Sequence, residues 1–196
     1  PGMAEKWEIK GNKIIFNIRK GMYWSDGSTP ITANDFYFGF KRVLDPTTAS
    51  LYPYLFDFIR NVTQFRDGKI KDFNQVGIKV LDNYKLVIEL SKQQDEPLKE
   101  WGPRAFAFVT FTPVNKEFFE KNKNHFGIDE KGIMTNGPWY VKTWNHGESI
   151  KLSKNPFYYD KNNIRIDEIN VITIKEEFTT VAMYKSGELD MIPKIS

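Results

Sequence analysis

The chain has 196 residues, with 28 basic and 25 acidic side chains, a formal net charge of +3 and no cysteine. Charges of both signs so nearly balanced give no electrostatic footprint for nucleic acid or an anionic membrane, and the lack of cysteine excludes disulfides, thiol nucleophiles and thiolate metal sites within these residues. The length suits one domain, or one domain and part of another; no apolar run reaches the roughly 18 residues of a spanning helix; and the opening Pro1-Gly2-Met3-Ala4 has no leader pattern, so the chain reads as an internal piece of a longer protein.

Lys6–Ile9 and Lys13–Ile18 alternate apolar and polar about Gly11-Asn12, with Ile14, Phe16 and Ile18 on one face. That period of two predicts a hairpin. Ser25-Asp26-Gly27 is a turn. Thr32 follows as an N-cap, with Asp35 in the reciprocal position of a capping box. Ala33, Phe36, Phe40, Val43 and Leu44 then recur at helical spacing. Lys41 and Arg42 suit the C-terminal end of the dipole, and Pro46 ends the helix.

Ser50–Phe65 is aromatic-rich and predicts helical pieces interrupted by Pro53. A turn at Asp67-Gly68 precedes a second hairpin, Val76–Leu81 with Tyr84–Leu90 about Asp82-Asn83. Leu98–Trp101 predicts a short helix ended by Gly102-Pro103. Ala105–Phe111 fits a strand or a buried loop equally. Asn115 caps a helix that runs to Lys121, and Ile133–Pro138 is a loop.

Beyond it the pattern changes. Trp139–Trp144 and Ser149–Ser153 predict a hairpin, and Ile169–Ile174 a buried strand. Glu176–Ser186 predicts a helix with Phe178, Val181 and Ala182 inward and Gly187 at its end. Leu189–Ile192 predicts a short strand, and strand–helix–strand is the start of a parallel unit. The change places a boundary near residue 132.

Reactive constellations are missing from the sequence. His125 and His146 lie in polar, turn-like contexts, and the usual hydrolase, metalloprotease, phosphate-loop and dinucleotide signatures do not occur. Glu176-Glu177 is a carboxylate pair in sequence, but neighbours on a helix point about 100° apart, and acids favour a first helical turn. Turn and cap duties account for Asp26 and Asp35. The chain is therefore not expected to be an enzyme, nor to hold a metal or cofactor.

Several segments resemble the extracellular oligopeptide- and dipeptide-binding proteins of ABC importers, the family 5 type of solute-binding protein. They are Ala4-Glu5-Lys6-Trp7, Phe16–Lys20, Trp24-Ser25-Asp26-Gly27, Pro30-Ile31-Thr32-Ala33, Asp35-Phe36 and Asp45-Pro46-Thr47-Thr48-Ala49-Ser50. Further along come Thr135-Asn136-Gly137 with Tyr140 and Trp144, Asn155-Pro156 with Tyr158-Tyr159, and Ser186-Gly187-Glu188-Leu189-Asp190. They keep the family's order and spacing over essentially the whole chain; Pro138-Trp139 departs by replacing a single small residue.

The resemblance implies a mixed α/β (α+β) fragment of a periplasmic-binding-protein-like type II fold. Residues 1–132 would be most of the extra domain that distinguishes peptide binders. Residues 133–196 would be part of the mixed sheet of lobe I, up to near the hinge. The family's first strand and C-terminal lobe would lie outside these residues. It further implies capture of an oligopeptide between closing lobes, delivery to a membrane permease, and a monomeric lipoprotein or periplasmic location. Binders of nickel chelates, sugars and signalling peptides share the architecture, and a hydrolase is the reading from another class. Ligand-facing candidates are Tyr52 and Tyr54, which serve either ligand or core, and Asn136 and Gly137, which shape the interlobe loop or touch ligand; Trp24 is expected as a core plug. With the charged groups that hold peptide ends placed largely in the other lobe, these residues alone would bind weakly or not at all.

Overall fold

The computed structural model describes residues 2–91 and 106–192. Two antiparallel sheets are joined by short helices. The first hairpin is β1 (Ala4–Lys10) and β2 (Lys13–Ile18). α1 spans Ala33–Leu44 and α2 spans Val62–Arg66. β3 (Ile78–Asp82) and β4 (Lys85–Glu89) complete a four-stranded sheet in the order β1-β2-β4-β3. After α3 (Lys116–Lys121) come β5 (Trp139–Asn145), β6 (Ser149–Lys154) and β7 (Glu168–Ile172), a three-stranded sheet in chain order. α4 (Glu177–Ser186) follows.

Alternation sets the register of the first sheet. Ile14, Phe16 and Ile18 face the core, and Ile14 and Phe16 pair with Ile88 and Leu86 of β4, which are also buried. A slip of one residue would turn this whole set to solvent. α1 covers the same core with Phe36, Phe40 and Leu44, and each such side chain contributes roughly 1.5–3 kcal/mol on full burial. Its start is the expected capping box: Thr32 accepts from the Asn34 N–H, and the Asp35 carboxylate accepts from the Thr32 N–H at 2.7 Å. Trp24 is 2% exposed and plugs this core. Phe40, Phe56 and Phe111 interlock with centroids 4.3 to 5.9 Å apart, stacking the 3-10 turns Pro53–Phe56 and Val109–Phe111 beside α1. Residues 106–111 are neither the strand nor the buried loop expected there: they form turns in which Phe108 and Val109 are exposed and only Phe111 is buried, while the helix expected at Leu98–Trp101 lies outside the described residues.

α3 is tied to α1 by Arg42, whose guanidinium lies 4.9 Å from the Phe119 ring and 4.8 Å from the Phe126 ring. Burial between them pulls the Arg42 pKa down. Asn115 caps α3 by accepting from the Phe118 N–H at 2.8 Å.

The second sheet departs from expectation in burial. β7 forms, but it is not a buried strand: Val171 and Ile172 are 47% and 49% exposed. α4 forms and ends in a left-handed Gly187, yet none of its residues is buried, and Phe178, expected inward, is 91% exposed. Leu189–Ile192 is not a strand, and every strand pair among the described residues is antiparallel, so the parallel unit is not formed there. Periodicity marks which face of an element is apolar; it carries no information on whether anything covers that face.

Candidate functional site

The candidates Tyr52 and Tyr54 follow directly from how α1 stops. Asp45 accepts from the Thr47 N–H at 2.9 Å, Pro46 begins a 3-10 turn, and Ala49 reverses the chain at φ +50°. Pro53 then restarts a 3-10 turn one residue after Tyr52. The result is a projecting corner. Tyr52 is 52% and Tyr54 55% exposed, with rings in an edge-to-face contact 6.2 Å apart. Neither is a core aromatic. A ring pair of this kind offers apolar faces and two hydroxyls to whatever meets it.

Asn136 and Gly137 sit elsewhere, in the loop that joins the two sheets. Backbone and side chain of Ser25 grip the loop: the Ser25 N–H donates to the Thr135 carbonyl at 2.8 Å, and the Thr135 N–H donates to Ser25 Oγ at 3.2 Å. Gly137 donates its N–H to Thr135 Oγ1, and its carbonyl accepts from Asn155 Nδ2 at 2.9 Å. Asn136 Nδ2 rests on Met3 Sδ at 2.9 Å. The four candidates thus fall into two pairs held by different elements.

Asn155, missed as an organising residue, is fully buried and wires the loop to the following turn. Its N–H donates to the Pro138 carbonyl, its Nδ2 to Gly137, and its Oδ1 accepts from the Phe157 N–H at 3.0 Å. The available signal was Asn before Pro, a turn-forming dipeptide. That turn aims Phe157 at the Trp24–Gly27 segment. Gly27 has φ +73°, and a Cβ there would lie 2.3 Å from Phe157 Cζ, so the ring occupies the space a side chain would need. Next to it, Arg19 stacks on Tyr159 with the guanidinium carbon 4.7 Å from the ring centroid. Burial, the neighbouring Tyr159 hydroxyl and Asp160 push the Tyr158 hydroxyl up to about 12, so it remains a neutral donor.

The titratable groups that invited a catalytic reading have structural duties here. Asp35, buried, is raised by desolvation against the opposing hydrogen bonds from Thr32. Asp129 Oδ2 meets His125 Nδ1 at 2.8 Å, and Oδ1 accepts from the Gly132 N–H at 2.8 Å, which closes the 125–132 loop. The hydrogen bond from His125 holds the Asp129 carboxyl below the usual range. His146 stacks on Trp144 at 4.7 Å. Among the described residues no group of three or more His, Asp or Glu is arranged to hold a metal ion, and no helix is long and apolar enough to cross a membrane.

The family model described as bacterial extracellular solute-binding proteins, family 5 Middle, matches residues 1–196. The periplasmic oligopeptide-binding protein OppA of Salmonella typhimurium is 37% identical over 194 residues, which cover 97% of this chain and 34% of that protein. The substrate-binding domain of an oligopeptide ABC transporter from Bacillus anthracis superposes with a TM-score of 0.90 at 32% identity, over 97% of this chain and 36% of that one. Listeria monocytogenes OppA bound to peptide superposes with a TM-score of 0.87 at 30% identity, over 97% and 36%. The chain spans about a third of the length of the curated relatives it matches. The mixed α/β fold is that of the oligopeptide-binding proteins, and the chain belongs to the family of bacterial extracellular solute-binding proteins, family 5.

Proposed function

We propose that these residues are part of the substrate-binding component of an ABC importer, which captures oligopeptides outside the cell membrane and delivers them to a membrane permease. The observation that carries this is the family match over the whole chain together with 37% identity to an oligopeptide-binding protein. In this proposal residues 1–132 are most of the extra domain and residues 133–196 part of the first lobe. The exposed corner of Tyr52 and Tyr54 supports a ligand-facing role: half-exposed aromatic rings beside each other suit peptide side chains of many kinds. Asn136 and Gly137 shape the loop between the two sheets and border the ligand. The protein acts as a monomer, anchored as a lipoprotein or free in a periplasm, and grips its ligand without turnover.

Peptide-induced stabilisation of the full-length protein tests this. A ligand that binds only the folded state at 100 times its dissociation constant stabilises by about 2.7 kcal/mol, so a tripeptide should raise the melting temperature and be recovered intact by mass spectrometry. No shift with any peptide, or recovery of cleaved peptide, would defeat the proposal. If the groups that hold peptide ends lie outside residues 1–196, this chain alone should bind about 30- to 4000-fold more weakly than the full-length protein, from a loss of about 2–5 kcal/mol. Equal affinities by calorimetry would place those groups here.

A further inference from the structure

A polar cavity of about 630 Å³ opens on the first sheet, at the end of β2 and the turn between β3 and β4. Strand register builds its wall. Asn17 of β2 faces away from the core set Ile14, Phe16 and Ile18, and its cross-strand partners are Lys6 of β1 and Lys85 of β4. Partners in a ladder share a face, so a lysine stands on each side of Asn17, and all three line the cavity. Lys20 lines it too, with Nζ 5.6 Å from the Tyr84 ring centroid. The Ile18 N–H donates to the Tyr84 carbonyl at 2.7 Å, which holds the end of β2 against the turn that carries that ring.

Charge is not cancelled within this wall. Among the described residues none of Lys6, Lys20 and Lys85 forms an ion pair, whereas Lys10 of the same hairpin pairs with Glu8 at 2.8 Å. Glu8 lies outside the lining; Lys10 first, then Lys6 and Lys85, hold its carboxyl below the usual range. The lining acids are Glu5, which the bulge in β1 leaves out of the ladder, and Asp82, whose Oδ1 already accepts from the Tyr84 N–H at 2.8 Å. Between the two ladder lysines stands an amide where a carboxylate would have paired both, and Asn17 Nδ2 has no hydrogen-bond partner. Ammonium groups only donate, so three of them with an unpaired amide donor leave one cavity short of acceptors. Neighbouring strands lie about 4.8 Å apart, which puts Lys6 and Lys85 roughly 10 Å apart at the backbone, a span that two flexible lysine side chains close on a tetrahedral oxyanion.

We infer that this cavity is a site for a free oxyanion of phosphate size, held by Lys6, Lys20 and Lys85 beside the Asn17 amide. It shares no residue with the candidates for peptide contact, so it stands apart from the peptide reading.

The test is calorimetric titration of the full-length protein with inorganic phosphate at neutral pH and constant ionic strength, with sodium chloride as the blank. Wild type binds phosphate saturably above the blank. Lys6→Gln, Lys20→Gln and Lys85→Gln each weaken it about fivefold, the upper value for one solvent-exposed charge, and Lys85→Arg, which keeps the charge, binds as wild type does. Asn17→Asp sets a carboxylate between Lys6 and Lys85 and removes phosphate binding, with its unliganded melting temperature reporting that it folds; if it does not fold, the lysine series decides. Lys10→Gln, on the same face outside the cavity, keeps wild-type affinity. No heat beyond the chloride blank, or equal affinity in every variant, would overturn the site. So would a loss in Lys10→Gln as large as in Lys85→Gln, which is the signature of diffuse surface charge.

Discussion

Gly27→Ala separates two physical costs that share one residue. The first is backbone strain: at φ +73° an alanine Cβ crowds the following carbonyl, at about 1–2 kcal/mol. The second is steric. The new Cβ would lie 2.3, 2.4 and 2.7 Å from three carbons of the Phe157 ring, so the ring has to leave. Overpacking a closed core typically costs 1–3 kcal/mol, but Phe157 is 43% exposed and can swing outward, so the lower end applies and about 1 kcal/mol is expected. The sum is about 2–3 kcal/mol. Gly68→Ala is the control, because Gly68 has the same φ of +73° with nothing within 4 Å of a Cβ. The difference between the two variants is the Phe157 term alone. Urea unfolding followed by tryptophan fluorescence, to which buried Trp24 contributes, measures both. In a Phe157→Ala background the difference should vanish, since the double-mutant cycle removes the contact. A Gly27→Ala variant no less stable than Gly68→Ala would refute the claim that Phe157 fills the Gly27 socket.

Two further outcomes follow from the described geometry. Gly132→Ala should open the 125–132 loop, because its Cβ would lie 1.6 Å from the His125 carbonyl oxygen, a backbone atom that cannot turn aside; a loss of about 3 kcal/mol is expected, and amide exchange at Gly127 and Gly132 should quicken in the variant, whereas unchanged protection would contradict it. Asp35, raised by burial, adds stability that is complete below the ordinary carboxyl value near 3.8 and is lost as pH rises through its folded value. Asp35→Asn does not titrate, so its stability relative to wild type should climb between pH 4 and 7; a flat difference across that range would show that Asp35 titrates normally.

Local order was legible because it is set by residues a few positions apart. The period of two in Ile14, Phe16 and Ile18 specified β2 and its buried face, and Thr32 with Asp35 specified where α1 begins, since a capping box closes within one helical turn. Burial of Trp24 followed from an apolar residue beside a turn that feeds the core. The motifs at Trp24–Gly27, Thr135–Gly137 and Asn155–Tyr159 were each readable as a turn or loop. Their meeting was not, because Ser25 and Thr135 are 110 positions apart and no local rule spans that distance.

The sequence by itself determined the hairpins, the capped start of α1 and the family, because these depend on short-range periodicity, side-chain-to-backbone hydrogen bonds and an ordered series of short motifs; it did not determine Leu189–Ile192, expected as a strand and not one. Only the tertiary structure decided exposure and assembly: that Tyr52 and Tyr54 project outward, that Phe178 and β7 stay uncovered, that Phe157 packs on Gly27 and that Arg19 packs on Tyr159. An apolar side chain is equally apolar whether or not a partner arrives, so which faces are buried depends on contacts between segments far apart in the chain.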